Sequence, residues 1–278
     1  MNRTERFKVR DALLEDLAGP RVLIMGILNV TPDSFSDGGK FDRLEPALGH
    51  AREMAKSGAD ILDIGGESTR PDALEVDADE EWQRVESVLE ALGRDGPLPL
   101  SIDTYKAQVA RRAAGLGAVI INDVWGLTRD PDMPRTVAET GSLAVATYNR
   151  GVIDPALDLR ADMAAFVAET FARADQQAIP REHLIFDPGV GFAKTYEQNL
   201  KALANLDVLV DTGRPVLVGV SRKSFIGRMT GRPVEDRLSG TLAVGLKVVQ
   251  MGAKVLRVHD VGQHRDAVDM YCQMTSYR

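Results

Sequence analysis

The feature that most constrains this chain is its rhythm. Short apolar runs rich in β-branched residues alternate eight times with longer stretches of helical spacing. The strand-like runs are Val22 to Leu28, Ala59 to Ile64, Leu98 to Ile102, Ala118 to Ile121, Leu143 to Thr147, His183 to Phe186, Val216 to Val218 and Lys254 to Val258. Helical spacing marks Arg43 to Lys56, Asp79 to Leu92, Lys106 to Ala114, Met133 to Glu139, Leu159 to Gln177, Glu197 to Leu206, Leu238 to Met251 and His264 to Met274. In the first of these, Leu44, Ala47, Leu48, Ala51, Met54 and Ala55 share one face. Such alternation implies parallel strands joined by right-handed crossovers. Eight units without a visible linker predict one α/β domain over 1–278, a closed (β/α)8 TIM barrel. An open doubly wound sheet is the alternative. Its dinucleotide-binding version needs G-x-G-x-x-G after strand one, where this chain has Gly26-Ile27-Leu28-Asn29-Val30-Thr31. Residues 1–20 are expected to form a short cap or an extra hairpin.

Bulk properties narrow the class. With 44% hydrophobic residues among 278, the chain can bury a sizeable core. A net charge of −7 argues against a nucleic-acid or membrane-surface protein. It does not exclude an anionic small substrate, because local cations decide that. Cys272 is the single cysteine, so no disulfide can form within the chain, which fits a reducing compartment. No apolar run reaches signal-peptide or membrane-span length. A cytoplasmic protein with small-molecule partners is expected.

In a barrel of this kind, reacting groups sit at the C-terminal ends of the strands. Those positions carry Asn29, Asp63, Glu67, Asp103, Asn122, Asp123, Asn149, Arg150, Asp187, Ser221, Arg222, Lys223, Arg257, His259 and Asp260. An isolated Asp or Asn in a βα loop is more often a helix cap. Asp123 and Asp260 are expected to be caps or structural partners. Asp63 lies within an apolar run and reads as a buried structural carboxylate. Asp187 is followed by Pro188, which disfavours helix there, and Lys223, Arg222 and Arg257 cannot be N-caps. The stretch Pro215 to Gly227 runs strand, Gly219, four polar residues, then a helical first turn ending at Gly227. It places cations beside helical N–H groups, a setting for anions. Asp103, Asn122 and Asp187 suit the donor-rich edge of a pterin- or purine-like ring. Arg70, Arg257 and His259, with Asn29, suit a di-anionic leaving group and a shared Mg²⁺.

These residues in this order resemble the dihydropteroate synthases of folate biosynthesis. The motifs are GILNVTPDSFSDGG (Gly26 to Gly39), DIGGESTRP (Asp63 to Pro71), SIDT (Ser101 to Thr104), INDV (Ile121 to Val124), DPGVGF (Asp187 to Phe192), SRKSFIG (Ser221 to Gly227) and RVHD (Arg257 to Asp260). The resemblance implies a transferase and sulfonamide target that joins 6-hydroxymethyl-7,8-dihydropterin pyrophosphate to p-aminobenzoate and releases pyrophosphate. It implies Asp103, Asn122, Asp187 and Lys223 as pterin-reading residues, with Arg257 on the pterin face. It implies Thr69, Arg70, Arg257 and His259 around the pyrophosphate, and Asn29 as Mg²⁺ ligand. Phe192, Lys223 and Ser224, with Phe35 and Pro71, would form the p-aminobenzoate site. The implied mechanism is dissociative, with anionic Asp103 and Asp187 favouring the pterin cation. Loops 29–40 and 66–72 would close over it, with Gly38, Gly39, Gly65 and Gly66 as hinges. A homodimer is implied too. One departure stands out: where the family commonly has Met-His, this chain has Thr147-Tyr148. Thr147 would put a hydroxyl in the pocket, unless Tyr148 fills the gap. Alternatives are the pterin-binding barrel of corrinoid-dependent methyltransferases and a catalytically silent pterin-binding paralogue. SRKS and the full TPDSFSDGG loop argue against the methyltransferase.

Overall fold

The computed structural model describes residues 1–31, 40–68 and 74–276. Eight parallel strands are present: β1 (Leu23–Asn29), β2 (Ile61–Gly65), β3 (Leu100–Asp103), β4 (Ala118–Asp123), β5 (Leu143–Thr147), β6 (Leu184–Asp187), β7 (Leu217–Val218) and β8 (Val255–Val258). Neighbours run β6-β5-β4-β3-β2-β1-β8-β7. The remaining gap is closed by a parallel bridge between Phe186 and Val216, with the Phe186 N–H donating to the Pro215 carbonyl at 3.0 Å. The closed barrel expected from the sequence is therefore the fold. The expected strands fall within two residues of those observed.

Around the barrel lie α2 (Lys40–Lys56), α3 (Ala78–Asp95), α4 (Ala107–Gly115), α5 (Met133–Thr140), α6 (Leu159–Gln176), α7 (Tyr196–Ala204), α8 (Asp207–Val210), α9 (Ser224–Thr230), α10 (Leu238–Gln250) and α11 (Val261–Thr275). Side chains alternate along each strand, and this splits the apolar residues into two groups. Ile24, Leu28, Leu62, Ile64, Ile102, Ile121, Ala144, Ala146, Phe186 and Leu256 face the helices. Leu23, Met25, Ile61, Ile120, Leu143, Val145, Ile185, Leu217 and Val255 fill the cylinder. The inner set belongs to the early part of each strand, so the lower half of the barrel is oily. Continuing the same alternation puts Asp63, Asp103, Asn122, Thr147, Asp187 and Arg257 inside the upper half.

Before the barrel comes α1 (Arg3–Ala18), a helix rather than a hairpin. Asn2 opens it with a reciprocal capping box: its side chain accepts from the Glu5 N–H, and the Glu5 carboxylate accepts from the Asn2 N–H. Leu13 and Leu17 pack on the inner apolar set and plug the N-terminal end of the cylinder. Arg6 fastens the plug by donating to the Ala118 carbonyl at 2.7 Å, to Ser142 Oγ at 3.1 Å and to the Thr140 carbonyl.

Two glycine readings change. Gly227 does not stop α9, which continues to Thr230 and ends at Gly231 with φ 69°. A Cβ at Gly227 would crowd the Arg237 guanidinium, so the glycine leaves room for that side chain to pack against α9. Gly66 is likewise a packing glycine rather than a hinge, since a Cβ would lie 2.8 Å from Val85 Cγ1. Gly38 and Gly39 lie outside the described residues.

The plug makes a stability prediction. Leu13 is 2% exposed. Leu13→Ala should lower the unfolding free energy by about 2–5 kcal/mol through lost burial and the cavity left behind. The measurement is the urea midpoint. Turnover of the folded fraction should be unchanged, because the reacting groups lie at the opposite end.

Candidate active site

The strand register sets the site. Leu28 and Asn29 of β1 lie beside Ile64 and Gly65 of β2, and Gly65 beside Asp103 of β3. Asp103 is beside Asn122 of β4, Thr147 of β5 beside Asp187 of β6, and Arg257 of β8 beside Met25. Polar residues at the ends of six strands therefore stand above the apolar layer. Arg257 is the centre. Its Nε donates to Asp63 Oδ2 at 2.6 Å and its Nη2 to Asp103 Oδ2 at 2.6 Å. Asn122 Nδ2 donates to the same Asp63 oxygen at 3.0 Å. Asp63, fully buried, is the structural carboxylate expected. Its second oxygen and Asp103 Oδ1 are buried with no hydrogen-bond partner among the described residues. The floor thus carries two buried carboxylate oxygens without a hydrogen-bond partner among the described residues.

On the other side, Asp187 Oδ1 accepts from the Gly189 N–H at 2.6 Å. Gly189 has φ 65°, and a Cβ there would collide with the Tyr148 carbonyl, so the turn needs glycine. Lys223 Nζ donates to the Val190 carbonyl and lies 4.8 Å from the Phe192 ring centroid. Asp187, Phe192 and Lys223 are thereby brought together at one mouth. Gly219 does not mark a close approach or a left-handed turn: a Cβ there would stand 3.9 Å from Arg257 Cδ and from Asp187 Oδ2, ordinary contact distances. Asn29, Ser224 and His259 are exposed around the rim. Phe35, Thr69, Arg70 and Pro71 lie outside the described residues.

Electrostatics revise one expectation. Burial pushes the Asp103 carboxyl up to about 7, against the pull of Arg257 and helped by Asp63. Burial also raises Asp187, opposed by Lys223. Burial works against the plain anion assumed from the sequence at both carboxyls. Lys223 is pushed down to about 8 by burial, against the pull of Asp187. Asp103 and Lys223 are thus buried groups displaced toward neutrality, a pattern common at active sites.

Other residues carry no signal in the sequence. Lys194 Nζ donates to the carbonyls of Tyr148 (2.7 Å), Gly189 (3.0 Å) and Phe192 (3.1 Å), tying the end of β5 to the β6 loop. Burial lowers it to about 7. Asn199 accepts from the Gly191 N–H at 2.5 Å and anchors the same loop. A lone lysine or asparagine beside a helix start does not announce such a role. Arg222, grouped with Lys223 as a pocket cation, instead pairs with Asp260, Nε to Oδ2 at 3.0 Å. Asp123 caps no helix but is a structural partner, holding the turn after β4 by accepting from the N–H groups of Trp125 (2.7 Å) and Leu127 (3.1 Å). Tyr148 does not fill the pocket. Its ring turns to the outer layer against Phe166, 5.4 Å between centroids, and its hydroxyl donates to Asp162. The pocket side of β5 is left to Thr147.

Because Asp103 titrates higher folded than the ~3.9 of a free aspartate, its contribution is largest below about pH 4. That contribution is lost as pH rises through about 7. Asp103→Asn should therefore flatten the fall in stability between those limits, measured as urea midpoints across pH. A wild-type slope retained in the variant would assign the titration elsewhere.

Comparison with known proteins agrees with this geometry. Residues 25–259 match the family model described as pterin binding enzyme. The dihydropteroate synthase of Bacillus subtilis (strain 168) is 48% identical over 243 residues, spanning 87% of this chain and 85% of the relative. The structure of Xanthomonas albilineans dihydropteroate synthase with 4-aminobenzoic acid superposes with a TM-score of 0.88 at 43% identity, covering 92% of this chain and 94% of that one. The same organism's enzyme in complex with 7,8-dihydropteroate gives 0.84 at 41% identity, with coverage of 92% and 94%. With its polar barrel mouth and near-full-length matches, the chain belongs to the pterin-binding enzyme family, among the dihydropteroate synthases.

Proposed function

We propose that this chain joins 6-hydroxymethyl-7,8-dihydropterin pyrophosphate to p-aminobenzoate, giving 7,8-dihydropteroate and pyrophosphate. The observation that carries the site assignment is the Arg257–Asp63–Asp103–Asn122 floor with its open acceptor at Asp103 Oδ1. A reduced pterin brings a row of N–H donors and ring acceptors. Asp103, Asn122 and Asp187 accept from the donors and orient the amide edge, while Lys223 supplies a donor and Arg257 lies against the ring. Buried and pre-positioned, these groups discriminate against rings lacking the donors, since an unpaired buried acceptor is costly.

The exocyclic C–O bond breaks toward pyrophosphate, and the electron-rich dihydropterin delocalises the charge left on carbon. Asp103 and Asp187 favour that charge as they ionise. The aryl amine, a weak nucleophile, then forms the C–N bond and loses a proton. Phe192 offers an apolar face to the aryl ring beside Lys223. Ser224, the first residue of α9, with Lys223, Phe35 and Pro71, completes the acceptor site. Thr69, Arg70, Arg257 and His259 hold the pyrophosphate. Asn29 fits Mg²⁺. Its amide oxygen stands at an exposed strand end beside Gly65. Among the described residues no group of three or more His, Cys, Asp or Glu could hold a metal. That donor set suits an ion whose remaining ligands are phosphate oxygens and water. When bound, Mg²⁺ neutralises charge on the departing pyrophosphate.

We further infer a cytoplasmic homodimer with small-molecule partners and no nucleic acid. No helix among the described residues is long and apolar enough to cross a membrane. Met270 and Met274 expose apolar surface on α11, in support of self-association.

Two measurements test the assignment. Lys223→Ala should reduce condensation at least 100-fold, about 2.7 kcal/mol of transition-state stabilisation, while circular dichroism stays native because the preceding strand carries the packing. Undiminished turnover would remove Lys223 from the site. Asp187→Asn should weaken pterin binding more than p-aminobenzoate binding by calorimetry, and equal losses would count against its role. Both are read against wild-type turnover with and without Mg²⁺.

A further inference from the structure

We propose that Ser221 is a positioning residue that holds His259 as the tautomer with its proton on Nε2, so that this N–H is aimed at a phosphoryl oxygen of the leaving group. The proposal rests on the reading of His259 as a phosphate contact given above. It deepens that reading by saying which nitrogen donates and what sets it.

Ser221 is buried at the end of the β7 segment, 6% exposed. Its Oγ lies 3.2 Å from the His259 backbone nitrogen and 2.9 Å from His259 Nδ1. The backbone N–H can only donate, so it occupies a lone pair of the hydroxyl. The hydroxyl has one proton to give. Among the described residues its acceptor at hydrogen-bond distance is Nδ1. Were Nδ1 protonated, the hydroxyl would accept twice and its own proton would be buried without a partner. With Nδ1 as acceptor, the neutral ring carries its proton on Nε2, the outer nitrogen of an exposed residue. An oxyanion needs a donor there. The opposite tautomer would present a lone pair to negative charge.

A second contact keeps the pair in register. The next residue of each loop, Arg222 and Asp260, forms a two-point ion pair. Arg222 sits at φ 58°, a left-handed conformation that a non-glycine residue adopts only when held. The ends of the β7 and β8 segments are thus joined at two successive positions, and the Ser221–His259 bond is the inner one.

The test uses the full-length enzyme labelled with ¹⁵N-histidine, with His259→Ala identifying the His259 signals among the four histidines. Long-range ¹H–¹⁵N correlation reads the tautomer, and calorimetry with inorganic pyrophosphate and Mg²⁺ reads the function. Wild type should show Nδ1 unprotonated and Nε2 protonated. Ser221→Ala should add a detectable Nδ1-protonated population and weaken pyrophosphate binding about tenfold. Ser221→Thr, which keeps the hydroxyl, should preserve both. A protonated Nδ1 in wild type overturns the proposal. So does lost affinity in Ser221→Ala with the tautomer unchanged, or a Thr variant as impaired as Ala. If His259→Ala leaves pyrophosphate affinity intact while the wild-type tautomer is as stated, it is the phosphate contact of His259 that falls, and with it the purpose assigned to Ser221.

Discussion

A guanidinium clasped between two carboxylates inside a closed cylinder is the interaction on which this molecule turns. Arg257 reaches Asp63 and Asp103 from across the barrel, and Asn122 shares the Asp63 oxygen. Charges removed from water are costly unless geometry and further hydrogen bonds compensate. Here the compensation is incomplete: one oxygen on each of Asp63 and Asp103 stays unpaired among the described residues. The apolar half below, sealed by Leu13 and Leu17, keeps solvent from relieving that deficit from beneath. A ligand rich in N–H donors is then the natural complement.

The polar ring also explains why protonation is finely balanced. Asp103, Asp187, Lys223 and Lys194 are all displaced by burial toward neutrality. Cations and anions are interleaved around the mouth, so each partly restores its neighbour. Under the proposed mechanism, a site that favours a transient carbocation while also holding a polyanionic leaving group is poorly served by a large fixed charge of either sign. Interleaving keeps both ends of the substrate served within one cavity.

Much of this architecture is legible in the order of residues alone. Asp103, Asn122, Asp187 and Arg257 end or interrupt apolar runs whose period of two assigns them to the inner face. The strand count assigns them to one end. What stays hidden depends on how loops turn. Arg222 and Lys223 are adjacent and chemically alike, yet one pairs with Asp260 and the other caps the Val190 carbonyl. Nothing in their types distinguishes them, because the left-handed turn at Arg222 carries no glycine to announce it. Lys194 looks like a surface lysine until three carbonyls converge on it. Tyr148 faces outward because Leu143 and Val145 face inward, a parity that β5 alone contains. Helix α1 forms the cap that its place before the first strand suggested, but its helical form is weakly marked because only Arg6, Leu13 and Leu17 are buried along it.

The closure of the barrel has a consequence of its own. Strand β7 is two residues long, and it meets β6 through the Phe186–Val216 bridge. Asp187 directly follows Phe186 in β6. The thinnest stitch in the wall therefore lies next to a residue of the proposed site. Opening there would part the reacting groups while the other seams stayed shut, so activity would vanish well before the protein melts. Wear on this enzyme should show first as lost chemistry in a molecule that still looks whole.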